Sequence, residues 1–101
     1  MEKKSIKLAD LMVSLGAFKS VRNLDNRNQF VIEFAGGEIF QSYRTVCGVR
    51  IWGEGLGFSD AHDYSRTTAK HCKLWCGKDT ETRRRMLKEG TAFLVTDIDE
   101  P

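Results

Sequence analysis

The chain has 101 residues, of which 41% are apolar and 30% charged, and its formal charge is +2. At this length one domain with one modest core is expected, roughly two thirds of the unfolded surface being buried, and the apolar content excludes a disordered linker. The longest apolar run, Ala92 to Val95, has four residues against the roughly 18 that cross a membrane, and no signal-peptide core follows the basic start, so a soluble, cytoplasmic protein without a membrane partner is expected.

Along the chain, Leu8, Leu11, Met12 and Leu15 share one face of a helix over about Lys7 to Leu15, with Ser5 as candidate cap and Gly16 as its stop. Asp25-Asn26-Arg27-Asn28 is turn chemistry, and Gln29 to Phe34 is rich in strand formers. Ala35-Gly36-Gly37-Glu38 divides that strand from Ile39 to Tyr43 and is the strongest hairpin signal, since paired glycines admit the positive φ of tight hairpin turns. A third strand is read from about Thr45 to Trp52. Gly53, Gly55 and Gly57 then mark a turn with close backbone approach; a phosphate-cradling loop is disfavoured because no helix follows directly. Leu56 to Ser59 is a candidate returning strand.

Ser65 is the expected cap of a helix from Arg66 to Cys76, stopped by Gly77, with Ala69, Cys72, Trp75 and Cys76 facing inward. Asp79 caps a further helix from about Thr80 to Glu89, ended by Gly90, with Met86 and Leu87 inward. Thr91 to Val95 reads as a short strand, and residues 1–4 and 97–101 as frayed ends. The sum is a single α+β domain over 1–101: a small antiparallel sheet of three to five strands with an N-terminal helix and two C-terminal helices packed on one face. Leu56 to Ser59 or Thr91 to Val95 is the expected edge strand, open to pairing with a second copy as a homodimer.

Chemistry-bearing residues are sparse. Three cysteines cannot all pair within one chain, so reduced thiols are expected. Cys72 and Cys76 lie four apart on an inward face with no second pair, unlike a structural zinc site; with Cys47 they read as core thiols, with no metal and no cofactor. His62 with Asp60 and Asp63 forms a polar loop able to hold a general base, but no nucleophile or electrophile site accompanies it, and no catalytic residue is assigned.

Charge gives the better lead. Residues 1–65 carry eight basic and eight acidic side chains, residues 66–89 eight and three, and residues 90–101 none and three, so the segment charges are 0, +5 and −3. The candidate contact residues for a partner protein or nucleic acid are therefore Arg66, Lys70, Lys73, Arg83, Arg84, Arg85 and Lys88. Tyr43, Trp52, Phe58 and Tyr64 are candidate base-stacking aromatics. Ser65, Thr67 and Thr68 put three hydroxyls at a helix N-terminus, a candidate anion site, with self-capping as the alternative.

Two segments, Phe40-Gln41-Ser42-Tyr43-Arg44-Thr45 and Asp63-Tyr64-Ser65-Arg66-Thr67-Thr68-Ala69-Lys70-His71, followed by Gly77 and a basic stretch closing on Glu89-Gly90, resemble a family of small, largely uncharacterised proteins carried by phages, plasmids and other mobile elements of bacteria. The resemblance covers roughly residues 18–97 and is most specific at Tyr64-Ser65-x-Thr67-Thr68-x-Lys70. It implies a strand hairpin followed by helices, core packing near Trp75 and Cys76, and a bacterial host cell, and it brings no catalytic residues. The cysteines and the glycine-rich segment 53–57 depart from the family pattern. The expectation is a non-enzymatic interaction protein acting by stoichiometric binding, an inhibitor of a host defence system such as a CRISPR effector being its most concrete form. The alternative is a nucleic-acid-binding accessory protein using residues 66–89.

Overall fold

The computed structural model describes residues 4–98. In chain order its elements are β1 (Ser5–Lys7), α1 (Leu8–Leu15), β2 (Phe18–Leu24), β3 (Asn26–Phe34), β4 (Gly37–Ser42), β5 (Thr45–Ile51), β6 (Gly55–Ser59), a 3-10 turn (Asp60–Asp63), α2 (Arg66–Cys76), α3 (Thr80–Glu89) and β7 (Phe93–Thr96). The strands make one seven-stranded sheet in the order β1-β7-β6-β5-β4-β3-β2. Strands β2 to β6 follow one another as antiparallel neighbours, whereas β7 runs parallel to both β1 and β6.

This overturns the expected antiparallel sheet of three to five strands with helices on one face. The sheet is larger because β1 and β7, from opposite ends of the chain, pair with each other, and no turn signal announces so distant a pairing. Strand β2 was hidden for another reason: six of its seven residues are exposed, so it lacks the alternation that marks a half-buried strand. The edges are accordingly β1 and β2. Leu56 to Ser59 and Thr91 to Val95, expected at an edge, fall within interior strands or lead into one.

Side chains alternate across a strand, and here the alternation divides the core in two. Val31, Phe40, Cys47 and Phe58 face α2, which contributes Cys72 and Trp75, while half-buried Met86 and Leu87 of α3 pack alongside. Phe34, Ile39, Val49 and Val95 face the other way, onto Leu11 and Leu15 of α1. Helices therefore cover both faces. Each fully buried side chain of Leu or Phe size contributes about 1.5–3 kcal/mol, which makes Leu11, Leu15, Phe40 and Phe58 the principal anchors of the two layers.

Local chemistry matches most helix ends and corrects others. Ser65 accepts from the Thr68 amide at 3.1 Å and Asp79 from the Thr82 amide at 2.9 Å. Gly77 and Gly90 end their helices in the left-handed conformation. Ser5, in contrast, lies in β1, and Lys7 precedes α1 without a side-chain cap. Helix α2 buries Thr68, His71, Cys72 and Trp75, a stripe turned by about one residue from the expected one, leaving Ala69 and Cys76 half-buried. The hairpin between β3 and β4 forms, but neither Gly36 nor Gly37 has a positive φ. Space is what requires glycine there: a Cβ on Gly37 would overlap the Arg50 carbonyl and crowd Leu15.

The ends are tied down where they are described. The Lys4 carbonyl accepts from the Leu94 amide at 2.7 Å, and Ile98 packs against both halves of the core. The remainder of the expected frayed ends, residues 1–3 and 99–101, lies outside the described residues.

Trp75 holds α2 to the sheet. Its ring stacks on Phe40 at 5.6 Å, its Nε1–H donates to Glu38 Oε2 at 2.7 Å, and the Arg50 guanidinium lies 5.0 Å above it. Room for the ring comes from a bulge in β5: Phe40 faces Gly48 and Gln41 faces Val46, so Cys47 is the extra residue. A Cβ on Gly48 would overlap the indole. Gly48→Ala is therefore expected to destabilise the fold by about 1–3 kcal/mol, read as a lower denaturation midpoint at unchanged slope.

Candidate binding surface

Helices α2 and α3 lie over the same side of the sheet, and their cations divide by environment. Arg66, Lys70 and Lys73 of α2 and Arg85 and Lys88 of α3 are exposed. None of these five makes an ion pair among the described residues. Arg84 is also exposed, but Asp63 holds it: Nη2 lies 2.6 Å and Nε 3.0 Å from the same carboxylate oxygen.

Arg83 departs from the expectation of a surface arginine, with 0% of the residue exposed. Successive helix positions point about 100° apart, so three consecutive arginines cannot share one face, and here the first is turned inward. Its Nε–H donates to His62 Nδ1 at 2.9 Å, Nη1–H to the Lys78 carbonyl at 2.6 Å, and Nη2–H to the His62 carbonyl at 3.2 Å and Thr80 Oγ1 at 3.0 Å. No carboxylate pairs with it among the described residues. One guanidinium thus joins the 3-10 turn, the loop before α3 and α3 itself, and its planar fork is suited to several acceptors at once.

The same contact fixes His62. With Nδ1 accepting from Arg83, the proton of the neutral ring belongs on Nε2, and the ring offers no free acceptor nitrogen for general-base work. Burial holds the His62 pKa below its ordinary 6.5; Arg83 and Arg84 push the same way, and Asp63 and Asp60 oppose them. His62 lines an open cleft of about 480 Å³ with Asp60, Asp63, Arg84, Leu87 and Lys88. Its charges are mixed in sign.

At the N-terminus of α2 two of the three hydroxyls, those of Ser65 and Thr68, are used from within. Ser65 Oγ accepts from the Thr68 amide and donates to Thr68 Oγ1 at 3.1 Å, and Thr68 Oγ1 lies 3.1 Å from Ser42 Oγ of β4. Thr67 is exposed, and its carbonyl accepts from His71 Nδ1–H at 2.8 Å. His71 Nε2 lies 3.0 Å from Asp25 Oδ2 and 3.2 Å from Asn26 Nδ2, tying the turn between β2 and β3 to α2. Self-capping accounts for Ser65 and Thr68, and neither hydroxyl is left over for an external anion.

Cys47 and Cys72 are fully buried and Cys76 is half-buried. Burial pushes the Cys47 thiol up to about 11. Cys72 and Cys76 lie one turn apart: the neighbouring Cys76 and burial push the Cys72 thiol up, and the neighbouring Cys72 pushes that of Cys76 down. Among the described residues no three or more His, Cys, Asp or Glu side chains are grouped to hold a metal ion.

Two features were not legible beforehand. The inward turn of Arg83 depends on where the 3-10 turn presents His62, which no local pattern announces. The meeting of Ser42 with Thr68 and Ser65 needs the β4–β5 hairpin to end beside the start of α2. Of the candidate stacking aromatics, Phe58 is core, whereas Tyr43, Trp52 and Tyr64 are exposed.

These observations define an α+β protein with a mixed sheet between helical layers and an unpaired cationic helical face. A family model described as "Family of unknown function (DUF8033)" matches residues 13–90, and the chain belongs to that family. Strands β2–β6 with α2 and α3 lie inside the matched segment; β1 and β7 lie outside it. A search of the curated proteins and one of the solved structures find no match. Among the described residues no helix is long and apolar enough to cross a membrane.

Neighbouring arginines are expected to behave oppositely. Arg83→Ala leaves four acceptors unpaired and opens a cavity, so it should cost about 3–5 kcal/mol in chemical denaturation, whereas Arg84→Ala should cost under about 1 kcal/mol. His62 adds a pH dependence. Because its folded pKa is depressed, the unfolded state takes up the proton first; stability is full above about pH 6.5 and falls as pH drops below it. Thermal melts from pH 8 to pH 5 should show that loss, and His62→Gln should flatten it.

Proposed function

We propose that this chain is a non-enzymatic interaction protein of a bacterial mobile genetic element, acting by stoichiometric binding through the outer face of α2 and the exposed cations of α3. The observation that carries the reading is the set Arg66, Lys70, Lys73, Arg85 and Lys88, all exposed and without an ion-pair partner among the described residues. Intramolecular pairing would neutralise such a face; left unpaired, it is complementary to an acidic macromolecular surface and raises the rate of encounter with one. Occluding an effector of host defence, such as a CRISPR nuclease, is the most concrete role of this kind. A second reading, a nucleic-acid-binding accessory protein, is favoured by the exposed ring of Tyr64 two residues before Arg66.

The double variant Lys70→Glu/Lys73→Glu tests the surface. Both residues are exposed, so its melting curve should stay within a few degrees of the parent. Co-purification from a bacterial host should yield a partner in equimolar amount with the parent chain and lose it with the variant. Equal recovery with both would overturn the assignment. For the second reading, the salt slope of nucleic-acid binding should fall by roughly one for each phosphate contact removed.

A further inference from the structure

We infer that Tyr43 and Tyr64, one from each of the two motif segments, form a stacking platform for unpaired nucleobases, with Arg44 and Arg66 placed for the adjoining phosphates. The inference rests on the second, nucleic-acid-binding reading above and gives it a ligand class: single-stranded nucleic acid.

The fold brings together the residues adjoining the two tyrosines. Ser42 Oγ and Ser65 Oγ each lie 3.1 Å from Thr68 Oγ1, so a single buried hydroxyl links the end of β4 to the start of α2. Tyr43 directly follows the first serine and Tyr64 directly precedes the second. Both residues are solvent-exposed, at 54% and 70%. Arg44 and Arg66 are exposed beside them and form no ion pair among the described residues. The nearest acidic neighbour in sequence, Asp63, is already held by Arg84. Trp52, the other exposed aromatic outside a strand, follows the far end of β5 and takes no part.

The backbone at Tyr43 is the second, independent observation. Ser42 pairs with Thr45, so Tyr43 and Arg44 form a two-residue hairpin loop, and Tyr43 has φ 57°. Glycine, asparagine or aspartate is the usual choice at such a position, and a bulky aromatic there is strained. The strain is held from both sides: the Tyr43 amide donates to the Asn28 carbonyl at 2.6 Å, and Gln41 Nε2–H donates to the Tyr43 carbonyl at 2.8 Å. A ring kept in a costly conformation, with its face in solvent and a cation next to it, is explained by something that stacks on it. Nucleobases present flat π-faces at a spacing set by a phosphate backbone, and only unpaired strands expose those faces, so a duplex does not fit the platform.

Fluorescence anisotropy with labelled oligothymidylate and oligouridylate of about 20 nucleotides, and with a duplex of the same length, tests this. Tyr43→Ala and Tyr64→Ala should each weaken single-strand binding by about fivefold to a hundredfold, and Tyr43→Phe and Tyr64→Phe should retain it. Tyr43→Gly relieves the positive φ, so it should melt at or above the parent temperature while losing affinity like Tyr43→Ala. Absence of single-strand binding, alanine variants within about twofold of the parent, or equal loss of duplex binding would each overturn the platform. If Lys70→Glu/Lys73→Glu loses the co-purified partner while the tyrosine-to-alanine variants bind the labelled oligonucleotides as the parent does, the cationic surface stands and the platform alone falls.

Discussion

A buried guanidinium that no carboxylate balances among the described residues is the constraint around which the helical layer is arranged. Arg83 sits at 0% exposure and is held by a histidine nitrogen, two carbonyls and a threonine hydroxyl. Removing such a charge from water is costly, and the four hydrogen bonds made by its five N–H donors are what make the position tolerable. The 3-10 turn must therefore present His62 by both its ring and its carbonyl, and the loop at Lys78 must turn its carbonyl inward. The orientation of α3 follows. With Arg83 fixed inward, Arg84 meets Asp63 and Arg85 faces solvent, so one residue's burial sorts the charges of its neighbours.

Trp75 does for α2 what Arg83 does for α3. Its indole stacks on Phe40, lies against the Arg50 guanidinium, is hydrogen bonded to Glu38, and is admitted by the missing side chain of Gly48. Anchoring α2 along this line turns Arg66, Lys70 and Lys73 outward together. A stable helix with a rigidly oriented cationic face loses little freedom on meeting a partner, which is why a fixed array of charges is a better contact than the same lysines on a loop.

The two motif segments belong to one junction rather than to two functions. Ser42 and Tyr43 close a hairpin, Tyr64 and Ser65 open a helix, and the Thr68 hydroxyl joins them; His71 extends the tie to the turn at Asp25. Gln41, Ser42, Ser65, Thr68 and His71 of these segments are spent on assembling the junction. The tyrosines and arginines are what it presents to solvent. The matched family segment contains this junction entirely, whereas the terminal strands β1 and β7 fall beyond it.

Local patterns sufficed for whatever is decided within a few residues. Ser65 and Asp79 as caps, Gly77 and Gly90 as stops, the hairpin at Gly36-Gly37 and a turn at Gly53 were all legible, because capping and turn formation depend on neighbouring groups, whereas Gly55 and Gly57, expected in that turn, lie in β6. So was the cationic excess of residues 66–89. What joins distant parts of the chain was not. The parallel pairing of β1 with β7, the largely exposed edge strand β2 and the placement of α1 on the opposite face depend on contacts far apart in sequence. In the candidate surface, charge type and position could be read for Arg66, Lys70 and Lys73, but the fate of Arg83 could not: an arginine carries the same charge in water or in a core, and only the acceptors that the folded chain brings around it decide which.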